Sequence, residues 1–305
     1  MKNVSRTLAL LLAGPLLALP GCAGMADTHS TSSAPIAAAE HPALWKVADE
    51  DTTIYLFGTI HALPNGVEWY EGPVATALSS ASELVTEIPH GAMADPATQA
   101  RFQQSAALPE GENLRDKLNA EQRAVYEGAM SKAGLPAAAF DRMKPWFAAV
   151  TLGVIPVIKA GYSMEAGVEN AVEAKAGATM KRGALETVDD QLAAFNGLPM
   201  RSQIDYLVQV AEQIDEVVPM MNDMVALWSK GDADGLAVLL NDEIEDPALA
   251  EALLYKRNRN WAAWIDDRLD RPGTVFIAVG AGHLAGTNSV QDYLSKNGIE
   301  SRRVQ

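Results

Sequence analysis

Two stretches near opposite ends of the chain finish in the same way. Tyr55-Leu56-Phe57-Gly58-Thr59-Ile60-His61 and Ile277-Ala278-Val279-Gly280-Ala281-Gly282-His283 are each an apolar, β-forming run followed by G-x-x-H. Such a run reads as a buried strand. Glycine at its end lets the chain turn where a side chain would clash, so the histidine points across the sheet edge. One motif of this kind carries little weight. The chain has only five histidines, however, and two of them share this local setting. His29 and His41 lie in or beside a polar tether, and His90 follows Pro89.

The remaining pattern places β-formers at both ends and helices between them. Leu44-Trp45-Lys46-Val47 and Thr53-Ile54-Tyr55-Leu56-Phe57 read as a hairpin, with residues 58–65 as a loop. A short helix is predicted over 73–82 and a strand over 83–88, closed by Pro89. Helices follow at 119–133, 145–162 and 167–176, then a strand at 180–185. The apolar 145–162 segment contains Pro156 and is short for a bilayer, so it reads as a buried helix. Apolar residues near a 3.6-residue period over 201–230 predict long helices bent near Pro219. A helix at 246–269, a strand at 274–279, a helix at 288–297 and a closing strand at 301–305 complete the pattern. The expected fold is α/β, with a mixed sheet assembled from N- and C-terminal strand segments and a large helical middle region.

The first residues carry a different message. Lys2 and Arg6 precede an apolar run that is broken by Gly14 and Pro15, and Gly21 precedes the only cysteine, Cys22. Residues 1–21 therefore read as an export signal, 22–42 as a tether and 43–305 as one domain. Leu19-Pro20-Gly21-Cys22 resembles a bacterial lipobox, which implies lipidation of Cys22 in a periplasm-facing, outer-membrane lipoprotein. Cleavage at Ala23 or Gly24 is the alternative. One cysteine permits no internal disulfide. The net charge of −15 repels phosphate backbones and attracts cations, which excludes nucleic acid as a partner and leaves membrane contact to the N-terminal lipid.

The unit from Tyr55 through the 73–82 helix to Glu83 reads as a β-α-β crossover, which joins parallel strands. Parallel strands place their carboxyl ends together, so His61 and Glu87 are expected at one rim. Ligand crevices of open α/β sheets lie there. His283 joins them if its strand runs the same way. Two imidazoles and a carboxylate can hold a divalent ion, the ingredients of a hydrolytic site.

These residues also carry a resemblance. Trp45-Lys46-Val47, Leu56 to His61, Glu87, Lys144-Pro145-Trp146 and Gly167-Val168-Glu169 come first in order. Leu185-Glu186-Thr187 with Gln191, Arg257-Asn258 with Trp261, and Val279 to Leu284 follow. In that sequence they resemble the TraB/GumN family, the group that includes the TIKI metalloproteases. The resemblance implies a metal-dependent site activated by manganese or cobalt, held by His61, His283 and Glu87, and acting on a peptide or protein substrate. Pro89 stands where relatives often carry a further acid.

Glu169 matches an acidic family position and is assigned to the site; an acid in a first helical turn is the plainer reading. Glu186 is either a site residue or a hydrogen-bonded anchor. Arg257 and Asn258 are assigned to catalysis, Arg257 as a clamp for a carboxylate or oxyanion, against a simple salt bridge. Lys144-Pro145-Trp146 reads as helix-start packing. A non-catalytic lipoprotein that captures a peptide, signal or haem at the same crevice is the alternative function.

Overall fold

The computed structural model describes residues 41–240, 244 and 246–305. The export signal, Cys22 and nearly all of the tether lie outside the described residues. Eight strands are described: β1 (Leu44–Ala48), β2 (Thr52–Thr59), β3 (Leu63–Pro64), β4 (Glu83–Thr86), β5 (Tyr162–Ser163), β6 (Lys181–Ala184), β7 (Gly273–Gly280) and β8 (Ser301–Arg303). β1 and β2 form the predicted hairpin, with Leu44 opposite Phe57. Its bend is shaped by Asp49, whose side chain accepts from the N–H groups of Asp51 and Thr52.

The main sheet has the order β6-β4-β7-β2-β1-β8. β6, β4, β7 and β2 are parallel neighbours, and β1 runs antiparallel to both β2 and β8. This is the expected mixed α/β sheet built from both ends of the chain. β2 continues through Gly58 and Thr59, where a loop was predicted, because β7 pairs with it along its whole length. The crossover from β2 to β4 is also parallel, but the two strands are not adjacent. β7, from the far end of the chain, lies between them and bonds to both.

The helices are α1 (Gly72–Ser80), α2 (Pro96–Ala106), α3 (Ala120–Lys132), α4 (Pro145–Lys159), α5 (Val168–Lys175), α6 (Val188–Asn196), α7 (Met200–Glu212), α8 (Val217–Ser229) and α9 (Ala233–Leu240). Pro247–Ala250, a π-helical turn Glu251–Tyr255 and Lys256–Leu269 then run on as one helix, α10, and α11 is Val290–Lys296. No helix among the described residues is long and apolar enough to cross a membrane. α4 is instead a buried core helix, as predicted, with Trp146 and Leu152 fully buried.

The 201–230 region differs from expectation. Its first helix ends at Glu212 and a second begins at Val217, so Pro219 sits in the first turn of α8 rather than at a bend. A proline there forfeits no helical hydrogen bond.

Strand alternation divides the core into two layers. Val47, Ile54, Leu56, Val85, Val275, Ile277 and Val279 pack with Trp261 and Ile265 of α10 and Leu294 of α11. Leu44, Phe57, Leu84, Phe276 and Ala278 belong to the larger core shared with the helical middle region. The sheet is covered on both faces, as its near-continuous apolar strands require.

Candidate functional site

The four parallel strands deliver their carboxyl ends to one rim. β2 leads to His61, β4 to Glu87, β6 to Glu186 and β7 to His283. β4 and β6 stay in step past their ends, since the Glu186 N–H donates to the Glu87 carbonyl at 2.9 Å. The two G-x-x-H motifs touch through their small residues. A Cβ placed on Gly58 would lie 3.1 Å from the Ala281 Cα. Close approach of the second motif, rather than a sharp turn, explains glycine here, and Gly280, with φ −50°, likewise needs no special conformation. The Trp228 indole N–H donates to the Gly58 carbonyl at 2.8 Å and fixes the strand end from the helical side.

His283 lies in a 3-10 turn, Ala281–Leu284, directly after β7 and ahead of the predicted 288–297 helix. It is 1% exposed, with its ring against Trp261 at 4.3 Å between centroids. Its Nδ1 is 2.6 Å from Asn258 Oδ1. The Asn258 Nδ2 donates to the Asn288 carbonyl at 2.7 Å, so the amide oxygen must face the histidine. Nδ1 therefore carries the proton and Nε2 carries the lone pair. Asn288 adopts φ 58°, a left-handed conformation that asparagine tolerates. Burial first, then the Arg257 charge, hold His283 well below its ordinary pKa, so the ring is neutral.

Glu87 is gripped from three sides. Its Oε1 accepts the Gly280 N–H at 2.8 Å and lies 3.9 Å from His283 Nε2. Its Oε2 accepts from Arg257 Nη2 at 2.6 Å and from Gln191 Nε2 at 3.2 Å. Arg257 also makes a two-point contact with Glu186, through Nε to Oε2 at 3.0 Å and Nη2 to Oε1 at 2.5 Å. Its Nη1 lies 3.0 Å from His283 Nε2 and donates to the Leu253 carbonyl at 3.1 Å. The π-helical turn just before Arg257 and Asn258 is a local departure of the kind often found at functional positions. Burial opposes the Arg257 charge, but Glu87 and Glu186 outweigh it and raise its pKa. Burial pushes Glu186 up, against the pull of Arg257.

His61 is held by α5. A Cβ on Gly167 would lie 2.2 Å from the His61 carbonyl oxygen, and the Val168 N–H donates to the Ile60 carbonyl at 3.0 Å. That close seat brings Glu169 Oε1 to 2.6 Å from His61 Nδ1, a tight ion pair not aligned as a hydrogen bond. Burial works against charge on His61, but the Glu169 carboxylate outweighs it and raises the pKa above 6.5. Glu169 is correspondingly lowered, burial being overcome by the His61 charge. The other ring nitrogen, Nε2, is buried with no hydrogen-bond partner.

His61, Glu87, Glu169, Arg257, Asn258 and His283 thus share one rim, and Arg257 is indeed in a salt bridge, with two acids at once. Sequence reasoning gave no role to Gln191, the Gly280 N–H, or Trp228. Gln191 was visible only as part of the family pattern, and a backbone N–H leaves no mark in a sequence. Among the described residues, no three or more His, Cys, Asp or Glu side chains stand close enough to hold a metal ion. The donor set nevertheless fits such an ion in kind, with one unpartnered buried imidazole nitrogen, a second imidazole presenting its Nε2 lone pair, and a carboxylate. The cation standing among them is the Arg257 guanidinium.

No curated protein and no solved structure gives a match to the chain. The model of the TraB/PrgY/gumN family matches residues 43–303, from the strand that opens the sheet to the strand that closes it. With both G-x-x-H motifs, Glu87 and Arg257-Asn258 inside that span, the chain belongs to the TraB/PrgY/gumN family.

Proposed function

We propose that the protein is a metal-dependent hydrolase of the TIKI type, a peptidase of the cell envelope. His61 Nε2, His283 Nε2 and Glu87 would hold the ion, manganese or cobalt by family resemblance. The observation that carries this reading is the unpartnered, buried Nε2 of His61 beside a surplus of buried carboxylate. Glu87 and Glu186 share one guanidinium between them, and Glu169 faces His61. With His283 neutral, Arg257 and a charged His61 still leave one buried carboxylate without a countercharge; burial makes that excess costly, and a divalent cation would cancel it.

When bound, such an ion supplies Lewis acidity at a scissile carbonyl and lowers the pKa of water. The chain's own residues do the rest. Asn258 holds His283 in the tautomer that frees Nε2, and Glu169 steadies His61 and is the carboxylate nearest its Nδ1 proton. Arg257, anchored on Glu186, presents a planar donor fork suited to a substrate carboxylate or an oxyanion. Trp261 backs both Arg257 and His283 and keeps water from that side. The exported, Cys22-anchored placement is part of the same proposal, and the negative surface turns away nucleic acid.

The test is metal analysis of the purified protein after manganese loading, beside a mixed-peptide cleavage screen. The expected result is a bound ion and new amino termini in the peptides, both lost in His61→Ala and in His283→Ala. Full cleavage by the chelator-treated double variant would overturn the proposal. Recovery of intact peptide after prolonged incubation with metal-loaded protein would replace it with a capture protein for a peptide, signal or haem.

A further inference from the structure

His283 Nε2 has one lone pair, and it already has an occupant. The tautomer set by Asn258 and Asn288 leaves Nε2 as acceptor only, and Arg257 Nη1, a pure donor, stands 3.0 Å away. An ion ligated by the same nitrogen would have to approach along the same direction and well inside 3.0 Å, zinc for instance at about 2.0–2.1 Å. The two cannot share it. Glu87 poses the same conflict, since Oε2 is bound by Arg257 Nη2 at 2.6 Å. Glu186 does not, because its two-point contact with Arg257 lies outside the set of candidate ligands.

We propose that Arg257 is an internal counter-cation that competes directly with the divalent ion for His283 and Glu87. This rests on the metal-dependent reading above. In the metal-free protein the guanidinium offsets part of the buried carboxylate charge and occupies the donors of His283 and Glu87. Ion entry moves Nη1 and Nη2 off His283 and Glu87 while Glu186 and Gln191 retain a polar anchor, Gln191 Nε2 lying 2.8 Å from Glu186 Oε1. The displaced fork remains tethered beside the ion, where substrate would meet it. Arg257 is thus a positioning residue that sets metal affinity, and its contacts make that affinity lower than the donor set alone would give.

The test is manganese titration of the purified protein, with free Mn(II) counted by electron paramagnetic resonance. Arg257→Met is expected to bind manganese about tenfold more tightly or better, since a charged hydrogen-bonding competitor has been removed. The thermal midpoint of that variant should fall without metal and rise more on manganese addition than in the parent protein. If Arg257→Met does not fold, Glu186→Gln/Arg257→Met removes a carboxylate together with its cation and is expected to show the same tightening. His61→Ala should abolish binding in either background. Manganese affinity that is unchanged or weaker in the arginine variants would overturn the competition while leaving the metal reading intact. Absence of manganese binding in the parent and in every variant would overturn both.

Discussion

Asn258 and Gly167 act on the two histidines from opposite sides, one through a hydrogen bond and one through the lack of a side chain. Replacing Asn258 with alanine leaves a buried Nδ1–H without its acceptor, at a cost of about 1–3 kcal/mol. Nitrogen NMR of the imidazole should show one tautomer, protonated at Nδ1, in the parent and a mixture in Asn258→Ala. A parent spectrum protonated at Nε2 would contradict the assignment. Gly167→Ala drives a methyl against the His61 carbonyl. It is expected to lower the unfolding free energy by about 1–3 kcal/mol in denaturant titration, as overpacking does, and to weaken metal binding with it. An unchanged unfolding midpoint would show that α5 can be moved aside without cost. The histidines themselves were legible because strand-then-G-x-x-H is a local pattern that occurs twice. The role of Gly167 was not, because its neighbour across the gap, His61, is remote in sequence.

Among the elements, the strands and the longer helices could be read from composition and period. The place of β7 between β2 and β4 could not, since nothing in a β-α-β unit records which strand a distant segment will insert beside. That insertion puts His283 between His61 and Glu87 rather than at the flank of the pair. α2, α6 and α9 also escaped notice. They are short, yet α6 carries a start signal in Thr187 and Asp190, whose side chain and backbone bond reciprocally. The longer α3 has the same device in Asn119 and Gln122. Asn119→Ala is expected to cost about 1 kcal/mol by denaturant unfolding. Thr187→Ala should cost a similar amount, about 1 kcal/mol, and should also disturb manganese affinity, because α6 brings Gln191 to Glu87. A loss of stability with no change in affinity would separate α6 from the site.

At the scale of the whole molecule, the sheet gathers the chemistry and the helical middle region encloses it, so stability and function meet at the rim. Ion pairs elsewhere tie the helical region together. Arg115 grips Asp141 at 2.7 Å through both Nε and Nη2, and this holds the Asp141 carboxyl below its ordinary value of 3.8. A depressed carboxylate contributes stability that is fully present above the unfolded value and is lost as pH falls through the lower, folded one. Arg115→Met should therefore lower the thermal midpoint near neutrality, with the difference from the parent shrinking below pH 3.8. A difference that stays constant down through that range would remove the pair as its cause. The most direct measurement is anomalous diffraction at the manganese edge from crystals of the metal-loaded protein. One peak within bonding distance of the Nε2 atoms of both His61 and His283, with Glu87 completing the set, is the expected result. A peak touching only one imidazole, or none at this rim, would contradict the claim that the two histidines meet to hold an ion.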